Sequence, residues 1–187
     1  MDLKSKALAI IFNDKTVKEY LSKLTSPNPN ISTTNFEELQ GCLWDLVVNN
    51  IGISVDDEFM FDIFDAFFNL LLESIPDLLS YFKYIGDSWF YYYYSLKSIS
   101  IPENIKHIGN SAFEGCRNLA EVKLPHSLEY IDEYAFYNCK SLDKVIYAGT
   151  MAEWANITQK YGCWTGTPIL MVIHCADGEL DHDGNIL

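Results

Sequence analysis

The sequence predicts an α+β chain in which an N-terminal helical domain caps a short solenoid of parallel strands, closed by a C-terminal β cap. Three observations carry that expectation. The second half repeats itself every 23 residues, with Leu96, Leu119 and Leu142 in phase. The first 73 residues instead follow a helical apolar period. The composition suits a packed core: 187 residues, 49% apolar, 14% aromatic and 21% charged. These values exclude disordered, collagenous and disulfide-scaffold classes.

The helical domain spans residues 1–73. Leu8, Ile11 and Phe12, then Val17, Tyr20, Leu21 and Leu24, recur at helical spacing, and the Pro27 to Asn30 run interrupts the chain. Thr34 and Glu37 resemble a capping box ahead of Phe36, Leu39, Leu43, Leu46 and Val47. Ser54 opens the last helix. There Glu58, Asp62, Asp65, Asn69 and Glu73 form a narrow polar stripe, and phenylalanines and leucines cover the other sides. So broad an apolar surface predicts burial on several sides, including against the first repeat.

Repeats begin at 96, 119 and 142, after a degenerate first copy near residue 74, so the solenoid is expected over 74–160 and the cap over 161–187. Aligning 96–118 with 119–141 gives six identities, at Leu, Pro, Ile, Ala, Phe and Cys. In the degenerate copy, Ser74-Ile75-Pro76 matches Ser100-Ile101-Pro102, and Phe90 and Tyr93 fall where Phe113 and Cys116 fall. The third copy keeps Leu142, Val145, Tyr147, Met151 and Trp154 before decaying. The L-x-x-I-x-I-P segment reads as a strand with its aliphatic residues inward and Pro ending it. One such unit cannot bury its own apolar face, so each must stack on the next.

The I-P, I-x-x-x-A-F and N-C-x-x-L segments resemble the BspA-like, or Treponema-type, leucine-rich repeat family over about residues 74–180. The stretches 147–157 and 172–180 are similar to C-terminal ends in that family. The resemblance implies a right-handed leucine-rich repeat solenoid used for binding and not for catalysis.

Formal charge is −13, which repels phosphate backbones and argues against direct nucleic-acid binding. Ten acids and no Lys or Arg lie between Lys23 and Lys83. One candidate partner surface is therefore the acidic helix, with Asp56, Asp57, Glu58, Asp62, Asp65 and Glu73. A second is the outward strand face, in columns Lys97/Ala120/Asp143, Ser98/Glu121/Lys144 and Ser100/Lys123/Ile146. The Tyr91 to Tyr94 run is divided between core and surface.

The five cysteines, Cys42, Cys116, Cys139, Cys163 and Cys175, read as free thiols. Cys116 and Cys139, one repeat apart, form a core ladder about 4.8 Å in pitch. Cys163, His174, Cys175 and His182 form the only grouping with a zinc-like residue set, at a spacing no known site uses. No cofactor is expected, and no nucleophile, base and orienting group stand together, so the chain is not expected to be an enzyme. Asp181, Asp183 and Gly184 read as a hairpin turn. The apolar run Ala7 to Phe12 is shorter than a signal-peptide core, and Asp62, Asp65 and Asn69 interrupt the segment 59–72, so no membrane span and a cytoplasmic location are expected.

These features favour a small acidic stoichiometric inhibitor of a nucleic-acid-handling protein, such as a phage-encoded anti-CRISPR protein acting in the host cytoplasm, with a basic partner surface. The alternative is a generic leucine-rich repeat interaction or adhesion module, and a remote one is a zinc-binding protein.

Overall fold

The computed structural model describes residue 9, residues 11–24, 38, 41, 57–74 and 78–187. The chain divides into two compact units, Met1–Tyr81 and Phe82–Leu187.

In the first unit, α1 (Lys15–Leu24) and α2 (Asp57–Ser74) precede a 3-10 turn at Leu78–Tyr81. Asp14 caps α1, its Oδ1 accepting the Val17 amide at 3.1 Å, which satisfies a donor that has no partner within the helix. Ile11 and Val17 are fully buried. On α2, Ile63, Phe67, Phe68 and Leu71 are buried, and Phe67 meets Phe12 at 5.5 Å between ring centroids. Asp62 and Glu73 are exposed as the polar stripe requires, and the Asn69 amide donates to Glu73 at 3.2 Å. Asp65 departs from the expected exposed stripe, for it is buried. At 100° per residue it stands about 60° from Asp62, on the stripe's margin toward Phe61 and Phe68. Asp56, Ser54, Cys42 and the Thr34/Glu37 capping box lie outside the described residues, as do the side chains of Asp57 and Glu58.

The second unit is the repeat domain. Its strands are β1 (Tyr84–Ile85), β2 (Ser98–Ser100), β3 (His107–Ile108), β4 (Glu121–Leu124), β5 (Tyr130–Ile131), β6 (Lys144–Tyr147), β7 (Thr158–Gln159), β8 (Val172–Cys175) and β9 (Gly178–Leu180). They form two sheets, ordered β1-β3-β5-β7 and β2-β4-β6-β8-β9. All pairs are parallel except β8 with β9. Each repeat thus adds one strand to each sheet.

The repeat's apolar letters become buried columns. Ile99, Val122, Val145 and Ile173 pair in register and are all buried, and so are Ile85, Ile108 and Ile131 in the other sheet. Aromatic rings run along the axis: Phe90, Phe113, Phe136 and Trp164 stack with centroids 5.0, 5.1 and 4.7 Å apart and planes within 4° of parallel. Beside them Cys116 and Cys139 are fully buried, each thiol donating to the carbonyl of the preceding repeat's phenylalanine, at 3.0 and 3.1 Å. Each of those carbonyls also takes a backbone amide at 3.2 Å, from Tyr93 and from Cys116, so the thiols add a second bond to acceptors already paired in the core.

The turns on either side of the A-F pair bend the same way in every copy. Ser88, Ser111, Tyr134 and Gly162 share one left-handed position, and Tyr92, Gly115, Asn138 and Gly166 share a second. In both columns a larger residue in one repeat lies over a glycine in the next. A Cβ on Gly115 would stand 3.1 Å from the Tyr92 ring, and one on Gly162 2.8 Å from the Tyr134 ring.

The third copy does not decay at Trp154. A capped helix, α3 (Met151–Trp154), is inserted, after which β7 rejoins the four-stranded sheet and Trp164 takes the ring position of Phe136. The parallel ladder then runs on into β8 before β9 turns back antiparallel. Trp164 stands 28 residues after Phe136 instead of 23. The insertion masks the period in the sequence without interrupting the stack.

Candidate functional site

The exposed face of the five-stranded sheet is built by strand alternation. With Ile99, Val122 and Val145 inward, their neighbours must point outward. Ser98, Glu121, Lys144 and Val172 stand in one register, and Ser100, Lys123, Ile146 and His174 in the next. Lys97, Ala120 and Asp143 line the edge of the face, all exposed.

Glu121 organises the centre. Its carboxylate takes the Lys144 ammonium at 2.9 Å across the strands and the Lys123 ammonium at 3.7 Å along its own. The bond from Lys144 holds its carboxyl below the usual carboxylate range. Serines above and Ile146 to the side leave a mixed polar surface whose charges hold fixed positions. Farther along, the His174 ring meets Glu179 at 2.9 Å between β8 and β9. Such a face can offer donors, acceptors and both charge signs to a partner.

The four-stranded sheet carries a face that the sequence reading did not single out. Tyr84, His107 and Tyr130 stand in register with Thr158. Their rings meet at 6.5 and 4.8 Å, and Lys160 lies over Tyr130 at 5.7 Å. The signal was present, since the three residues are also 23 apart. Of the tyrosine run, Tyr93 is buried in the cysteine column whereas Tyr91, Tyr92 and Tyr94 are half-buried. Burial, with Glu114 nearby, pushes the Tyr91 hydroxyl up to about 12.

Among the described residues, Cys163, His174, Cys175 and His182 do not bring three ligand atoms together, although Cys163 and His182 line one cleft. Cys163 is buried, and desolvation pushes its thiol up to about 11. His174 is engaged with Glu179, and His182 lies 3.4 Å from Asp183. Among the described residues, the one group that brings three ligand atoms together is Asp181, His182 and Asp183. Asp181 is occupied as a turn acceptor, taking the backbone amides of Asp183 and Asn185 at 2.9 and 2.8 Å. Among the described residues, no helix is long and apolar enough to cross a membrane.

A family model for a BspA-type leucine-rich repeat region of six copies matches residues 64–159. A solved leucine-rich repeat protein of T. pallidum is similar at 32% identity, over 35% of this chain and 34% of that one, with a TM-score of 0.33. A leucine-rich repeat protein from Bacteroides capillosus is similar at 24% identity, over 50% of this chain and 63% of that one, with a TM-score of 0.42. The chain thus spans less than two thirds of either. No curated protein sequence matches it.

Proposed function

The chain belongs to the BspA-type leucine-rich repeat family, and from that membership we propose a protein-binding module whose principal contact surface is the exposed face of the five-stranded sheet. The observation that carries this reading is the register of Ser98, Glu121 and Lys144 beside Ser100, Lys123 and Ile146. Groups held on a hydrogen-bonded ladder lose little freedom on binding, so more of each contact's energy remains as affinity. Binding without turnover fits a face that offers fixed charges and hydroxyls. The narrower reading, a stoichiometric inhibitor of a nucleic-acid-handling protein with a basic surface, is supported by the charge of −13 and by the exposure of Asp62 and Glu73. It ranks second because net charge speaks to association and not to partner identity.

Parallel affinity captures separate the surfaces. Wild-type protein, a Ser98→Lys/Glu121→Lys/Lys144→Glu variant and an Asp62→Lys/Glu73→Lys variant would be immobilised and their captured proteins compared. The sheet reading expects a partner retained by wild type and by the helix variant but lost from the sheet variant. Loss from the helix variant alone would transfer the role to the acidic helix.

A further inference from the structure

The two sheets of the repeat domain end differently. The five-stranded sheet is closed by the antiparallel β9, whereas the four-stranded sheet stops at β7 and the ring stack stops at Trp164, which is only half-buried. Two clefts open at this end. One, of about 470 Å³, is lined by Trp164, Thr165, Ile169 and Asp183. The other, of about 450 Å³, is lined by Met151, Trp154, Ile186 and the same Asp183.

Exposed apolar side chains stand in this region, and the last 27 residues carry acids without a Lys or Arg. Ile169 is 77% exposed, Leu170 82% and Ile186 76%, a cluster of the kind that marks interaction sites. From Tyr161 to Leu187 there are four acids, Asp177, Glu179, Asp181 and Asp183, and no Lys or Arg. Glu179 faces His174, and Asp181 is held in its own turn. Asp177 accepts the Met151 amide at 2.8 Å, and Asp183, with His182 at 3.4 Å and its side chain 69% exposed, lines both clefts.

We propose that this end of the solenoid docks a polypeptide segment of a partner protein in which a Lys or Arg stands between apolar side chains. The cation meets Asp183, and the flanking apolar groups enter the two clefts beside Ile169 and Ile186. Charge complementarity selects this occupant: an acidic segment would be repelled, and a purely apolar one would leave the carboxylate without a counter-charge.

The probes are three capped tripeptides, Leu-Lys-Leu, Leu-Ser-Leu and Leu-Glu-Leu, titrated into the isotope-labelled full chain and followed by amide NMR shifts. The Lys peptide is expected to shift Trp164, Thr165, Asp183 and Gly184, binding about threefold tighter than the Ser peptide, with the Glu peptide weaker still, as for an exposed ion pair. Asp183→Asn should erase the ranking among the three. Ile169→Ala with Leu170→Ala, both at exposed positions, should weaken the Lys and Ser peptides alike. Equal binding by all three peptides, shifts on another face, or no shifts would overturn the proposal. So would concentration-dependent broadening of these residues without peptide, which would assign the surface to a second copy of the chain. Glu121→Lys should leave the titration unchanged, which keeps this test independent of the sheet-face reading.

Discussion

The two middle repeats and the copies flanking them solve one packing problem with different residues. Ala112 and Ala135 are fully buried, each with a copy stacked on both sides. At the equivalent point the first copy has Trp89, whose ring packs against Gly86 and meets Phe82 edge-on at 4.7 Å. The last copy has Cys163 there, with Trp164 as the terminal ring. An interior repeat has its space set by the units above and below, so small residues fill it. The flanking copies depart from that alanine in opposite senses, one with a large ring and the other with a small thiol. Letter-for-letter repetition is thus a property of the two middle units.

The strongest way to break this contrast is within the ring stack. Phe113→Ala removes a ring that touches others on both faces and should cost ~3–5 kcal/mol in urea unfolding. Phe90→Ala, at the stack's first position, should cost measurably less. Equal losses would show that the stack does not depend on neighbours from both sides. Next in size is overpacking. Ala135→Leu should destabilise by ~1–3 kcal/mol because the site has no spare volume, whereas Cys163→Ala, in the same column of the last copy, should cost less.

The left-handed columns sharpen the comparison further. Gly115→Ala places a side chain at a positive φ and within 3.1 Å of the Tyr92 ring, and a loss of ~1–2 kcal/mol is expected. Pairing it with Tyr92→Ala should recover part of that loss, and thermal melts of the single and double variants would measure the coupling.

The smallest effect lies at α3. The Glu153 carboxylate accepts from Thr150 at the helix cap and from the His126 ring at 2.9 Å, and its pKa is held down to about 2. The bond to Glu153 raises the His126 pKa above its ordinary 6.5. A raised folded pKa means that this contribution is complete below about 6.5 and is lost as pH rises through the folded value. The carboxylate works oppositely: its contribution is present above its ordinary 4.5 and fades as pH falls toward about 2. His126→Gln should flatten the neutral-range step in melting temperature while leaving the acid-range loss. Both groups are well exposed, so the step should be small and salt-sensitive.

Much of the repeat domain was legible in the letters. Ile99, Val122 and Val145 were expected inward and are buried partners in consecutive strands, and the Phe90, Tyr93 and cysteine alignments hold in space. The exposed columns from Ser98 to Lys144 and from Ser100 to Ile146 stand as strand alternation requires. Other features were hidden. α3 shifted the phase, so Trp164 did not read as a repeat aromatic. The Tyr84, His107 and Tyr130 column lies in strands only two residues long, too short for alternation to signal, so its 23-residue spacing was the one trace of it. Asp65 followed the polar stripe's spacing yet is buried, because position on a helix gives an angle and not the depth of the neighbours around it.

By itself the sequence determined the period, the inward residues and the strand that each repeat contributes, because those follow from local spacing and from the need of identical units to stack. The tertiary structure alone decided where the period resumes after α3 and which carboxylates stay in water. Those outcomes depend on residues distant in the chain. The Glu121 charge centre needs Lys144 from the next strand, and the outward Asp183 needs the clefts on either side of it. Spacing along one chain carries no term for either.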